Sequence, residues 1–202
     1  MKKVYLGMDV QTTGRLISRH AMIHLACVIV DENAKVLDKF QVALKMPPGS
    51  IWEEEWMNVF WSKHTNVLQT INDTAVDVKE AMALFVLWID DMDMRYKQNL
   101  VLLSGKTHVD VSWINLYLSC FTYRPALHYA YSTEHKGYAW RPILDMYSIW
   151  YGVMLEKSKK EGSNSFSLTG KPWWFTDNGD VLHGARAVAV NYVYFVSSLA
   201  IE

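Results

Sequence analysis

The sequence predicts a mixed α/β fold: an antiparallel meander of three strands, then further strands alternating with helices that pack on the sheet. Three observations lead there. The chain up to Leu44 holds three strand-like apolar runs separated by tight turn signals. After Pro47-Pro48-Gly49-Ser50 the apolar spacing changes to that of helices. From Leu100 onward, short strand-like runs alternate with helical patterns.

Val4 to Val10 reads as the first strand, broken by Thr12-Thr13-Gly14. Ala21 to Val30 is the second; its nearly continuous apolar character is that of a central strand covered on both faces. Asp31-Glu32-Asn33-Ala34 turns the chain into a third strand, Val36 to Leu44, with partial alternation of Val36, Phe40, Val42 and Leu44. Trp52, Trp56, Val59 and Phe60 fall at helical spacing and predict a helix over Trp52 to Lys63, followed by a shorter one over Asn66 to Ile71. Asp73 or Thr74 is the expected cap of a long helix reaching about Tyr96, with Val78, Ala81, Met82, Phe85, Trp88, Ile89 and Met92 on its inner face. Leu100 to Leu103 is a fourth strand, and Asp110 to Phe121 a helix with Val111, Ile114, Leu118 and Phe121 inward. A short strand is expected at Leu127 to Ala130, a helix over Pro142 to Glu156, a polar loop over Lys157 to Lys171, and a last helix over Leu182 to Leu199. No repeat and no long linker divides the chain, so residues 1–202 are read as one domain.

Half of the residues are apolar, enough for a sizeable core, and most of the nine Trp, eleven Tyr and ten Met are expected inside it. The net charge of −1 does not mark a strongly basic nucleic-acid binder. It leaves room for a metal-dependent nuclease, whose site itself needs acidic residues. Cys27 and Cys120 lie far apart without metal-ligand spacing and are expected to be buried free thiols, as in a reducing compartment. The apolar run after Lys2 and Lys3 ends at Asp9, too soon for a signal peptide. Ala185 to Ile201 is interrupted by Arg186, Asn191, Ser197 and Ser198 and falls short of the ~20 apolar residues of a membrane span. The expectation is an intracellular, cytoplasmic protein with no membrane partner, encoded by a cell or by a virus or phage acting inside one.

Three segments carry chemistry. Asp9-Val10-Gln11-Thr12-Thr13-Gly14 ends the first strand and resembles Asp-x-Glu-Thr-x-Gly, with Gln11 at the second acid. Residues two apart on a strand share a face, so positions 9 and 11 converge on one site. Leu102-Leu103-Ser104-Gly105-Lys106-Thr107-His108-Val109-Asp110 runs from a strand through a small polar loop to an Asp opening a helix. His183-Gly184-Ala185-Arg186-Ala187-Val188-Ala189 resembles His, four residues, then Asp, with Val188 standing at the Asp. In this order and spacing the chain resembles the DEDDh 3′–5′ exonucleases of the RNase H-like superfamily. Trp56 to Leu68, with Phe60-Trp61-Ser62-Lys63 and Val67-Leu68, resembles the helical insert of the phage-type exonuclease A (DexA-like) branch, near RNase T. Arg141-Pro142-Ile143-Leu144-Asp145 resembles the segment that returns the chain to the sheet.

The resemblance implies an RNase H-like mixed sheet and a cleft where two Mg2+ or Mn2+ ions clamp the scissile phosphate of a nucleic-acid strand while a His acts as general base. Carried over by residue, it implies metal ligands at Asp9 and Asp110, a base at His183, and contacts to single-stranded nucleic acid at Thr12, Thr13, Gly14 and Trp113. Gln11 keeps an oxygen without a charge, and Val188 supplies neither. Hard divalent ions need several oxygen ligands, mainly carboxylates. Metal binding is therefore expected to be weak or lost and activity impaired. The expectation is a homologue retained for binding nucleic acid or a protein complex. An active enzyme in which Asp177 or Asp180 replaces the missing ligand, and a structural or assembly protein using only the scaffold, are the alternatives. Trp52, Trp56 and Trp61 are expected to pack, as is Trp173-Trp174-Phe175 over the sheet edge. Arg15, Arg19, His20 and the lysines 157, 159 and 160 are expected to be solvated, and His108, His128 and His135 fit no ligand spacing.

Overall fold

The computed structural model describes residues 2–132, 137–151 and 179–199. Its centre is a five-stranded mixed sheet. Strands β1 (Val4–Thr12), β2 (Met22–Val30) and β3 (Val36–Ala43) form the meander, and β4 (Leu100–Ser104) lies parallel to β1 on the other side. A separate antiparallel hairpin of β5 (Tyr129–Ser132) and β6 (Gly137–Trp140) precedes β7 (Ile143–Asp145), which pairs in parallel with β4. The order across the sheet is β3-β2-β1-β4-β7.

The strand period sorts side chains into two layers. Val4, Leu6, Met8 and Val10 of β1 join Leu25, Cys27 and Ile29 of β2 in a core covered by the helices α3 (Val78–Tyr96) and α4 (Asp110–Phe121). Tyr5, Ala26, Val28, Val30 and Leu103 point the other way, against Ala185, Val188, Ala189 and Val193 of the helix α5 (Val181–Leu199). This α5 lies unusually close to β1. A Cβ on Gly7 would stand 2.8 Å from the Ala189 backbone N and 3.0 Å from its Cβ, so only glycine admits the helix there. Asp9 and Gln11 follow Tyr5 and Gly7 at two-residue steps and so share the α5 face.

The helices α1 (Glu54–Val59) and α2 (Thr65–Thr74) and the 3-10 turn Trp61–Lys63 between them cover a third cluster around Phe60, Trp61 and Ile71, against which Trp52 and Trp56 pack. Trp61 is fully buried and donates its indole N–H to Thr12 O at 3.1 Å, which ties this layer to the end of β1. Tyr117 of α4 accepts from Met22 N at 2.9 Å and donates to Met22 O, fixing the start of β2. A buried ionic cluster fastens the β5–β7 region to α3. The Arg124 guanidinium is wholly enclosed; it meets Asp93 at 2.9 Å, Asp90, and Tyr129 O at 2.6 Å. Arg141 meets Asp93 as well and donates to Leu127 O at 3.2 Å.

Several expectations are corrected. The helix expected over Trp52 to Lys63 is α1 plus the 3-10 turn, and the one at Asn66 to Ile71 extends over Thr65–Thr74. The cap of α3 is Asp77, whose carboxylate accepts from Lys79 N at 2.9 Å, not Asp73 or Thr74. The strand expected at Leu127 to Ala130 is Tyr129–Ser132, one arm of the hairpin. The helix expected from Pro142 begins only at residue 146, because Ile143–Asp145 completes the sheet beside β4. Cys120 is exposed at the outer face of α4, whereas Cys27 is buried as expected. The loop expected at Lys157 to Lys171, Trp173-Trp174-Phe175, Asp177, His135 and the lysines 157, 159 and 160 lie outside the described residues. Among the described residues no helix is long and apolar enough to cross a membrane.

Candidate nuclease-type site

The parallel pairing of β1 with β4 ends with Met8 opposite Ser104, where β4 stops while β1 runs on to Thr12. Such a point in an open sheet leaves a crevice at the carboxyl ends of the strands. A cavity of about 280 Å³ lies there. Asp9, Gln11, Asp110 and Val188 all line it, from β1, α4 and α5. His183 does not line it: its side chain is exposed at the start of α5, and its neighbour Gly184 forms that part of the wall.

Each position has a local cause. The β1–β2 register slips between Gln11 and Thr12, a bulge that re-aims the end of β1 at the cavity. Asp110 is buried in the first turn of α4; its Oδ2 accepts from Ser104 Oγ at 2.7 Å and from Lys106 N at 3.3 Å. Gly184 lets α5 begin against Asp9, since a Cβ there would overlap the Asp9 carboxylate. Asp180 caps α5, its Oδ1 accepting from Leu182 N at 3.0 Å and His183 N at 3.2 Å. Its side chain is exposed and outside the cavity wall.

The Thr12-Thr13-Gly14 segment serves the scaffold. Thr12 Oγ1 donates to Gly14 O at 2.8 Å. Thr13 is fully enclosed; its hydroxyl accepts from Ala21 N at 2.8 Å and donates to Ile51 O at 2.9 Å. Gly14 is packed so tightly that a Cβ would sit 2.6 Å from Glu53 Cβ and 2.7 Å from the His20 ring. Thr12 and Gly14 still reach the cavity wall, as does the deeply buried Trp113, while Thr13 does not. Arg15 is bound by its N–H and its guanidinium to Glu53, at 2.7 and 2.8 Å, and also meets Glu55.

Electrostatically the site is a pair of desolvated acids. Burial, and then the neighbouring Asp110, holds the Asp9 carboxyl well above the usual carboxylate range, while the Lys106 charge works the other way. Burial pushes Asp110 up to about 6 against the hydrogen bond from Ser104 and the charge of Lys106. Beside Gln11 on β2 stands His24, which burial lowers to about 4 and whose Nδ1 is enclosed without a partner among the described residues. Among the described residues no group of three or more His, Cys, Asp or Glu is placed to hold a metal ion.

Lys106 and Gly184 were not singled out from the sequence. The first stood in plain view, four residues before Asp110, and a charge inside a motif loop was the signal to follow. The second carries no local signal, since its role is a contact with a residue far away in the chain.

No family model and no curated protein matches the chain in sequence. Solved structures do match in shape. The nuclease domain of 3′hExo, a DEDDh family member bound to rAMP, aligns over 98% of this chain and 93% of its own, with a TM-score of 0.60 and 15% identity. E. coli exonuclease I in complex with a dT13 oligonucleotide aligns over 99% of this chain at a TM-score of 0.67 and 12% identity, although this chain spans only 42% of that one. A full-length 3′-exonuclease aligns over 98% of this chain and 83% of its own, at a TM-score of 0.56 and 13% identity. With its mixed five-stranded sheet flanked by helices, and aligned over nearly its whole length, the chain has the RNase H-like α/β fold of the DEDDh exonuclease domains.

Proposed function

We propose that the chain, as one unit over residues 1–202, is a 3′–5′ exonuclease homologue whose metal site is disabled and whose cleft is kept for binding single-stranded nucleic acid. The observation that carries this reading is Val188, whose side chain forms part of the cavity wall together with Asp9 and Asp110, 3.4 Å from where a Gly105 Cβ would stand. A methyl-bearing wall there offers a cation nothing. Among the described residues, the acid and amide side chains of the wall are Asp9, Asp110 and Gln11. Two hard divalent ions need more negative oxygen than that, so the residues present do not fit the Mg2+ or Mn2+ pair of the active relatives. Exposed His183 has no metal-bound water to act on. Replacement of the missing ligand by Asp180 is disfavoured by its use as the α5 cap.

Binding is supported by the rest of the wall, where the partly exposed Trp56 and the half-exposed Tyr147 offer aromatic surface to bases. Two of the similar structures hold rAMP and a dT13 oligonucleotide, so either sugar is a reasonable probe. The test is direct. An end-labelled single strand, DNA or RNA, stays intact with excess protein and Mg2+ or Mn2+, while a filter retains it in a salt-sensitive way. Metal-dependent shortening that Asp9→Ala abolishes overturns the loss of catalysis, and no retention at low salt favours a scaffold role. The double change Gln11→Glu with Val188→Asp should recover metal binding.

A further inference from the structure

We infer that Arg15 is a phosphate contact of this cleft and that Glu55 covers it until a strand arrives; this rests on the reading that the cleft binds single-stranded nucleic acid. Arg15 directly follows Gly14, and both line the cavity. So does Trp56, which directly follows Glu55 in α1. The Arg15 guanidinium thus bridges two segments of the wall, the loop after β1 and the first turn of α1, and its side chain is 55% exposed. Its two acidic partners are held differently. Glu53 is built in: its side chain is only 18% exposed, its backbone N–H donates to Thr13 O at 2.9 Å, and His20 Nε2 stands 3.7 Å from its Oε2. Its Oε2 accepts from Arg15 N at 2.7 Å, and its Oε1 accepts from Arg15 Nε at 2.8 Å and from Nη2. Glu53 therefore fixes the stem and one edge of the guanidinium. Glu55 is 67% exposed and meets Arg15 through Nη2 alone. Among the described residues Nη1 makes no hydrogen bond. The outer edge, Nη1 with Nη2, is covered at one nitrogen by one carboxylate oxygen, whereas a phosphate takes both nitrogens in a paired fork. Exposed ion pairs hold weakly, so Glu55 is the partner that yields. Until it does, two carboxylates around one guanidinium leave the group negative, which holds a phosphate off.

The experiment measures retention of an end-labelled oligothymidylate by the full chain in EDTA over a range of KCl concentrations. It compares wild type with Glu55→Gln, Glu54→Gln, Arg15→Gln and the double change Arg15→Gln with Glu55→Gln. Glu54 is the control: it is exposed and, among the described residues, makes no hydrogen bond or ion pair with Arg15, so its change removes the same charge without uncovering the guanidinium. Glu55→Gln should tighten binding about two- to fivefold, and Glu54→Gln clearly less. Arg15→Gln should weaken binding and flatten the slope of log affinity against log salt by about one. In that background Glu55→Gln should gain no more than Glu54→Gln does in wild type. Melting curves check that each variant is folded. Should Arg15→Gln unfold at the assay temperature, Arg15→Lys replaces it, since a point charge without the fork should shrink the Glu55→Gln gain. Equal gains from Glu54→Gln and Glu55→Gln overturn the assignment, as does a Glu55→Gln gain that persists undiminished without Arg15. The two failures are separable: a strand that neither wild type nor Glu55→Gln retains at low salt removes the binding reading and this contact with it, whereas retention indifferent to Arg15 and Glu55 removes this contact alone.

Discussion

Gly184→Ala sets two effects of opposite sign against each other at the place where α5 meets the site. In an open helix position the change stabilises by up to about 1 kcal/mol, because alanine loses less backbone freedom than glycine. Position 184 is not open. An added Cβ would overlap the Asp9 carboxylate and stand 2.9 Å from Asp9 Cγ and 3.3 Å from Asp9 Cβ. Relief by lifting α5 is opposed one turn along, where Ala189 rests on Gly7. Relief by turning Asp9 pushes a desolvated acid toward Asp110. Overpacking of this kind costs about 1 to 3 kcal/mol, so the steric effect should win and leave a net loss of about 1 to 2 kcal/mol. For a chain of this length that is a fall of roughly 2 to 8 °C in melting temperature. Urea unfolding followed by circular dichroism in EDTA measures it. Gly105→Ala is the internal control, since among the described residues its new Cβ would meet only Val188 Cγ2 at 3.4 Å, an ordinary contact, and a change within about 0.5 kcal/mol is expected. A Gly184→Ala protein as stable as wild type, or more so, would refute the close seating of α5 on Asp9.

Two further outcomes follow from buried charge. Asp93→Ala removes the carboxylate that Arg124 and Arg141 share in the interior, and should cost about 3 to 5 kcal/mol in urea unfolding; a neutral result would mean that the cluster does not clamp the hairpin to α3. Asp110 is held up to about 6 when folded against an ordinary 3.8, so between those values the folded chain carries more protons than the unfolded one and stability falls as pH rises. Asp110→Asn removes that titration, so in EDTA its stability relative to wild type should climb from about pH 4 to about pH 7. A gap that does not change with pH would show the carboxyl to be solvated.

What the sequence discloses is local, and what it hides depends on contacts between distant segments. Asp110 to Phe121 is read with its observed ends because a helix-opening acid and the apolar spacing of Val111, Ile114 and Leu118 agree. The β2 strand is legible from its unbroken apolar run because both faces are covered, by α3 and α4 on one side and α5 on the other. The cap of α3 was missed because Asp73, Thr74 and Asp77 are equally good caps by type. The preceding helix continues to Thr74, and only that leaves the role to Asp77. Pro142 looks like the first residue of a helix, yet Ile143–Asp145 gains more by pairing with β4, which local spacing cannot reveal. At the site, positions 9, 11, 110 and 188 were legible because strand period and helix starts place them. His183 was displaced from the cavity by the way α5 begins, with Gly184 and not the histidine turned to Asp9.

The differences from the exonuclease motif are coherent once taken together. On the reading of a disabled metal site, Val188 is more than a missing charge: it belongs to the same apolar layer as Leu103, Ala185 and Ala189, so the wall where a metal ligand would stand is core. Gln11 keeps hydrogen-bonding capacity at the bulge without adding a third negative charge beside Asp9 and Asp110. Restoring one acid alone would break this balance in a desolvated space, raising repulsion without completing a cation site. Metal binding should therefore return only when Gln11 and Val188 are both converted to acids.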